Sequence, residues 1–278
     1  MPDYVAMFED SVLAGGGPTT FIALFLLGIL RLIPIIGFSP FFGARVLPQP
    51  TKVMLGIVLF MVFLPKMLSV VTRPIVFDHW YILLAIKEMF VGFSMGFIMS
   101  APFMIVQNAG MIIDHQRGGA SLLVNDPTIQ NQSSPLGTLF NMVLIYIFFI
   151  IDGPFYFMNG MIQAYEVIPP DKFISTDFFN EDNGFWKAMF GAYNMIMVLS
   201  AQFGAPALIA ILMTDMFLGI ANRLAPQVQI TFLGLPLKSL LALTVLTVGW
   251  KLMNKQMITL AFQWLDILSK AIGSIIPS

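Results

Sequence analysis

The sequence predicts an all-α, multi-span integral membrane protein, on three observations. Of 278 residues, 58% are apolar and 10% charged, against ~25% charged in soluble domains, too few to cover a water-exposed surface. Apolar stretches recur from Phe21 to Ile276, and a backbone in lipid must satisfy its own hydrogen bonds, which makes helix the default. Charges and prolines interrupt these stretches, so some faces should meet protein or a wet cavity instead of lipid. The expected fold is therefore a set of helical hairpins with about six apolar segments, several kinked or broken, assembled with partner subunits.

Taken in order, the segments are residues 19–38, 53–71, 81–106, 135–151, 188–213 and 228–250. Each is compared with the ~20 residues that a spanning helix needs. The fourth is at the short limit, and a seventh stretch, 153–163, is too short to cross. Arg31 and Pro34 interrupt the first segment, Lys66 the second, and Lys87, Glu88 and Pro102 the third; Pro206 lies in the fifth, and Pro236 and Lys238 in the sixth. A charge near the bilayer centre costs ~2.5–3.5 kcal/mol or more, and a proline frees a carbonyl that something else must satisfy. Arg31, Lys87 and Glu88 are thus expected to pack on protein or to line a wet cavity. Lys87 and Glu88 are adjacent, ~100° apart on a helix, and each is expected to need its own partner.

The chain reads as one membrane domain over 1–250 and an amphipathic tail over 251–278. In the tail, Met253, Met257, Leu260, Trp264 and Leu268 keep helical spacing, with Lys255, Asp266 and Lys270 elsewhere on the turn. Such a tail is expected to lie on a membrane surface or dock on a partner. Lys251, Lys255 and Lys270 favour a cytoplasmic C-terminus, and the absence of Lys or Arg before Arg31 favours an outside N-terminus. Six spans would put both ends on one side, so either one segment does not cross or the stretch after Gly153 is re-entrant.

Several function classes are disfavoured. A net charge of −1 gives no basic footprint for nucleic acid. The chain has no cysteine, which removes disulfides, thiolate metal sites and cysteine nucleophiles. Two histidines without a His-Glu-x-x-His pair make a metal site unexpected. No phosphate-cradling glycine loop appears; Gly15-Gly16-Gly17-Pro18 is a flexible entry to the first span. No enzyme activity and no cofactor are expected. The acidic N-terminus, with Asp3, Glu9 and Asp10, does not fit a secretory signal. Gly92-Phe93-Ser94-Met95-Gly96 matches a nucleophile-elbow pattern, but that motif needs a strand-to-helix turn. Inside an apolar helix, Gly92 and Gly96 instead let a second helix approach closely.

Two polar connections, 107–134 and 164–187, stand out, and connections this long are usually functional or mobile. The first carries a candidate structural turn of Asp114, Gln116, Arg117, Gly118, Asp126, Pro127, Ser134 and Pro135. Asp114 and Arg117 are expected to pair in a buried turn. Asn222, Arg223, Pro226, Gln227 and Lys238 form a candidate second interhelical junction, with Pro226 breaking the helix.

These blocks carry a resemblance. Asp114-His115-Gln116-Arg117-Gly118, the Asp126-Pro127 pair and Gln132-Ser133-Ser134-Pro135-Leu136-Gly137 resemble the T component of the type III secretion export apparatus (the SctT family, also called YscT, SpaR or HrcT). So do Asn222-Arg223-Leu224-Ala225-Pro226-Gln227 and Phe232-Leu233-Gly234-Leu235-Pro236-Leu237-Lys238-Ser239. The flagellar FliR proteins share the architecture and the Ala-Pro-Gln block, and a flagellar export component is the alternative reading. The resemblance implies a non-enzymatic export gate in the bacterial inner membrane. It implies SctR-type and SctS-type partners in a funnel-like hetero-oligomer, which Arg31, Lys87 and Glu88 would then face, contacts with SctU and SctV through the tail after Lys251, and unfolded secreted proteins as cargo. A small-solute transporter would also show broken helices and intramembrane charges, yet no internal repeat is evident. An intramembrane hydrolase using Ser94 and a passive scaffold are the other rivals.

Overall fold

The computed structural model describes residues 12–42, 47–118, 134–173, 184–224 and 230–273. They form α1 (Val12–Phe38), a 3-10 turn (Pro40–Phe42), α2 (Gln49–Val70), α3 (His79–Gln116), α4 (Pro135–Ile150), α5 (Gly153–Val167), α6 (Gly184–Leu224) and α7 (Ile230–Gly273). The fold is all-α and multi-span. α1, α2, α3, α6 and α7 are each long and apolar enough to cross a membrane, and α4 and α5 meet the same test as a pair bent by 75°, a broken sixth span or a re-entrant loop.

Three helices outrun the apolar segments that announce them. α3, α6 and α7 have 38, 41 and 44 residues, or about 57, 62 and 66 Å at ~1.5 Å per residue. The hydrocarbon core is ~30 Å thick. The connection expected from Gln107 is therefore helical through Gln116. Polar residues enter the sequence there, but Val106, Ala109 and Ile113 keep one face buried, and a helix with one packed face has no reason to end. Pro34, Pro65, Pro102, Pro206 and Pro236 all lie inside helices.

The α4–α5 break is local and legible. The Ile151 amide closes α4 on the Ile147 carbonyl at 3.0 Å. Asp152 then takes a left-handed φ of 58°, a conformation in which Asp is enriched among non-glycine residues. Pro154 falls in the first turn of α5, where a missing N–H is not needed.

The chain divides into two compact units. The first comprises the described parts of Met1–Ala101, Asp152–Ala192 and Trp264–Ser278. In it α2 packs on α1 and α5 around Leu24, Leu27, Phe60, Phe63, Phe157 and Tyr165. α3 crosses α1 at the glycines singled out above. A Cβ on Gly92 would lie 2.9 Å from the Arg31 carbonyl carbon, and one on Gly96 would lie 3.1 Å from Ile35 Cα.

The second unit comprises the described parts of Pro102–Ile151 and Tyr193–Gln263. Phe103 meets Phe148 edge-on at 5.7 Å, and Phe140 meets Phe203 at 6.0 Å. α3 and α4 touch backbone to backbone: a Cβ on Gly110 would sit 2.5 Å from Gly137 Cα.

α7 runs through Lys251 without interruption. The apolar stripe expected to serve a membrane surface or a partner is taken up by the chain itself: Met253, Met257, Leu260 and Trp264 are buried. The Trp264 indole N–H donates to the Ile98 carbonyl within the first unit. The Leu268 side chain lies outside the described residues. Burial along the spans is uneven, with 72% of the most apolar window of α3 buried, 33% for α6 and 11% for α7.

Candidate functional site

Two polar centres sit inside these apolar helices, one in each unit. In the first unit, α1 carries Arg31 and α3 carries Lys87 and Glu88. Arg31 and Glu88 are completely buried, and Lys87 is 6% exposed. The Arg31 guanidinium grips Glu88 with two hydrogen bonds, Nε to Oε2 at 2.5 Å and Nη2 to Oε1 at 2.8 Å. The remaining Arg31 donors reach the carbonyls of Ile168 at 2.8 Å and Ala164 at 3.3 Å, and its plane lies 4.3 Å over the Tyr165 ring. These carbonyls lie at the C-terminus of α5, the negative end of that helix's dipole.

Lys87 Nζ stands 2.7 Å from Glu88 Oε1. It also donates to the carbonyls of Pro169, Lys172 and Pro170 at 2.8, 2.9 and 3.2 Å. Asp171, in the same connection, accepts from the Thr72 and Arg73 amides at 2.9 and 3.2 Å. Lys66 pairs with Glu166. The sequence expectation for Arg31, Lys87 and Glu88 is corrected on two points. They do not face partner subunits, because this chain supplies their counter-charge and carbonyls. Lys87 and Glu88 also do not need separate partners: the ~100° offset holds at Cβ, and the four-carbon lysine stem swings back onto its neighbour.

In the second unit, the last turn of α3 presents Asp114, buried, and Arg117, half-buried, follows directly after the helix. Arg117 Nε and Nη2 both lie 2.7 Å from Asp114 Oδ1. Arg117 Nη1 donates to Ser239 Oγ of α7 at 3.2 Å. Asp114 Oδ2 accepts from the Ser134 hydroxyl and from the Leu136 amide, the latter at 2.9 Å. Ser134 is the N-cap of α4, and its Oγ accepts from the Gly137 amide at 2.9 Å, with Pro135 opening the helix. One carboxylate thus joins the end of α3 to the start of α4 and, through Arg117, to α7. Its negative charge lies where the α4 dipole is positive.

The other residues singled out by sequence are placed as follows. Gln116 and His115 are exposed at the end of α3, so His115 is on a helix and not in a loop. Gly118 has φ 90°, the left-handed region that glycine enters without strain. Asn222 and Arg223 are exposed on the last turn of α6. Asp126, Pro127, Pro226 and Gln227 lie outside the described residues. Lys238 pairs with Asp215 of α6.

Sequence reasoning missed Asp215, Ser239 and the Gly110–Gly137 contact. A signal existed for the first: Asp215 is a lone carboxylate in an apolar stretch, and Lys238 is a lone cation in the next one. Ser239 closes the second resembling block, but nothing in the sequence linked it to Arg117, 122 residues away.

Neither centre is arranged for chemistry. The buried Ser94 hydroxyl donates to the Phe90 carbonyl of its own helix at 2.8 Å. Among the described residues no three His, Asp or Glu side chains are grouped to hold a metal ion. Both centres are arrays of charge-assisted hydrogen bonds that hold helices together.

The chain is similar to proteins of bacterial export machines. It is 32% identical over 173 residues to the secretion system apparatus protein SsaT of Salmonella typhimurium. That match covers 62% of this chain and 65% of SsaT, just under two thirds of the relative's length. It is 30% identical over 212 residues to the Yop proteins translocation protein T of Yersinia pestis, covering 73% of this chain and 79% of the relative. With the flagellar biosynthetic protein FliR of Bacillus subtilis it shares 27% identity over 226 residues, 81% of this chain and 85% of the relative. The model of the bacterial export proteins, family 1, matches residues 22–263. The chain therefore belongs to the bacterial export proteins, family 1, non-enzymatic multi-span membrane proteins of the type III secretion and flagellar export apparatus.

Proposed function

We propose that this chain is the T-type subunit of a type III secretion export gate in the bacterial inner membrane. It forms part of the wall of a conduit for unfolded secreted proteins, together with R-type and S-type subunits and in contact with U-type and V-type proteins. The observation that carries the reading is the uneven burial of the spans. Only 11% of the most apolar window of α7 is buried, and the exposed positions of this helix include Lys251. Lipid does not satisfy such groups; a neighbouring polypeptide or a wet conduit does. Similarity to the T protein of Yop translocation supports the injectisome branch. The wider coverage of the Bacillus flagellar relative favours a flagellar export component as the second reading.

The test is purification of the tagged chain from cells that express the whole apparatus. R-type and S-type subunits should co-purify in fixed ratio, and a stalled secretion substrate should crosslink to cysteines introduced into this cysteine-free chain. A solitary, stable chain that moves a small solute unaided would overturn the proposal. Complementation of secretion against complementation of motility separates the two branches.

A further inference from the structure

Pro102 stands inside α3, in a turn where Ile98, Ala101 and Pro102 are all buried. A proline has no N–H, so the carbonyl four residues back, that of Ile98, loses its helical partner. A buried carbonyl in that position needs another donor. The donor is the Trp264 indole N–H of α7. Trp264 is itself buried, and its indole N–H can only donate, so one bond satisfies both groups. The Ser100 hydroxyl donates to the neighbouring Phe97 carbonyl at 2.9 Å. Side chains thus hold a turn that the backbone alone does not close.

The rest of α3 concentrates movement at this turn. On one side of it, Lys87 and Glu88 are fixed by Arg31 and by the carbonyls of Pro169, Pro170 and Lys172. On the other side, Asp114 is fixed by Arg117, the Ser134 hydroxyl and the Leu136 amide. Both arms are pinned by charge-assisted hydrogen bonds, roughly twice as strong as neutral ones. The turn between them lacks a backbone bond and depends on a neutral side-chain donor. The division of the chain falls at the same residues: α3 leaves the first unit after Ala101, and α7 returns to it at Trp264. Hinges are a few residues at such weak points, conserving the rigid arms on either side.

We propose that α3 is a hinged helix latched by Trp264. The indole closes the 98–102 turn in the resting state, the turn opens when the indole leaves, and secretion works through that opening. The claim on secretion rests on the export-apparatus reading; the latch itself does not. The experiment replaces Trp264 by benzothienylalanine, which keeps the bicyclic shape but carries sulfur in place of the N–H. The replacement is made in the wild-type chain and in Pro102→Ala, where the new alanine gives its own N–H to the Ile98 carbonyl. Amide exchange in peptides covering 99–106 is followed by mass spectrometry, on the purified full chain and on the chain with its co-purifying subunits.

Local opening should rise by about tenfold in the wild-type background, the scale of one lost buried hydrogen bond, and change little in Pro102→Ala. Peptides around Arg31 and Glu88 should exchange as before. Pro102→Ala should assemble normally, because it keeps the closed turn, and should secrete several-fold less than wild type, because the turn no longer opens. Equal exchange with and without the indole N–H would overturn the latch. So would the same rise in both backgrounds, which would make Trp264 a packing residue only. Wild-type secretion by Pro102→Ala, or its failure to assemble, would overturn the use of the hinge. A wild-type chain that co-purifies with no subunit overturns the export-apparatus reading and the claim on secretion with it, while exchange on the full chain alone still decides the latch.

Discussion

Glu88→Gln tests the ionic centre of the first unit. The substitution keeps side-chain size and one carbonyl acceptor but removes the carboxylate that pairs with both Arg31 and Lys87. Arg31 is fully buried, as is Glu88, so solvent cannot take over the lost pairing. Breaking a buried pair by removing one partner costs ~3–5 kcal/mol, a factor of roughly 150–5,000 in the folding equilibrium. The five carbonyls around the two cations keep the loss toward the lower end. Reversible unfolding of the detergent-solubilised chain with increasing dodecyl sulfate, followed by far-UV circular dichroism, measures it. Adding Arg31→Met removes the stranded guanidinium, so the double variant should recover about 1–2 kcal/mol relative to Glu88→Gln alone. Glu88→Gln within about 1 kcal/mol of wild type, or strict additivity in the cycle, would refute the reasoning.

Four further outcomes are expected in the same unfolding assay. Asp114→Ala should be more destabilising than Asp114→Ala with Arg117→Ala, because the single change leaves Arg117 without its carboxylate while both lose the cap on the Leu136 amide; equal losses would argue against the pairing. Gly110→Ala should cost about 2 kcal/mol or more, since its Cβ meets the Gly137 backbone, which cannot rotate away. Gly191→Ala, with nothing within 4 Å of its Cβ, should be neutral or gain up to about 1 kcal/mol from helix propensity. Asp215→Lys and Lys238→Asp should each lower stability by about 1 kcal/mol, and the double exchange should recover most of it; a double variant as unstable as the sum would show that the two charges do not pair.

Much of this protein was decided by its composition and local pattern. Few charges and recurrent apolar stretches dictate membrane helices, because an unpaired backbone in hydrocarbon costs more than any side-chain preference returns. Ser134-Pro135 marks the start of α4, and Gly92 and Gly96 mark a close helix crossing, because caps and small residues act over one or two turns. The stripe Met253–Met257–Leu260–Trp264 was legible as one face of a helix, though not what that face would meet.

Tertiary structure alone decided how each charge is satisfied. Glu88 lies 57 residues from Arg31 in sequence, and the Ile168 carbonyl lies 137 residues away. No periodicity links such positions; only the packing of α1, α3 and the end of α5 brings them together. The same holds for Arg117 and Ser239, 122 residues apart. Sequence shows that a buried charge needs a partner, since the cost of leaving it bare is general. It does not say whether the partner belongs to this chain or another, because that depends on which long-range surfaces close. For Arg31, Lys87 and Glu88 the chain closes on itself.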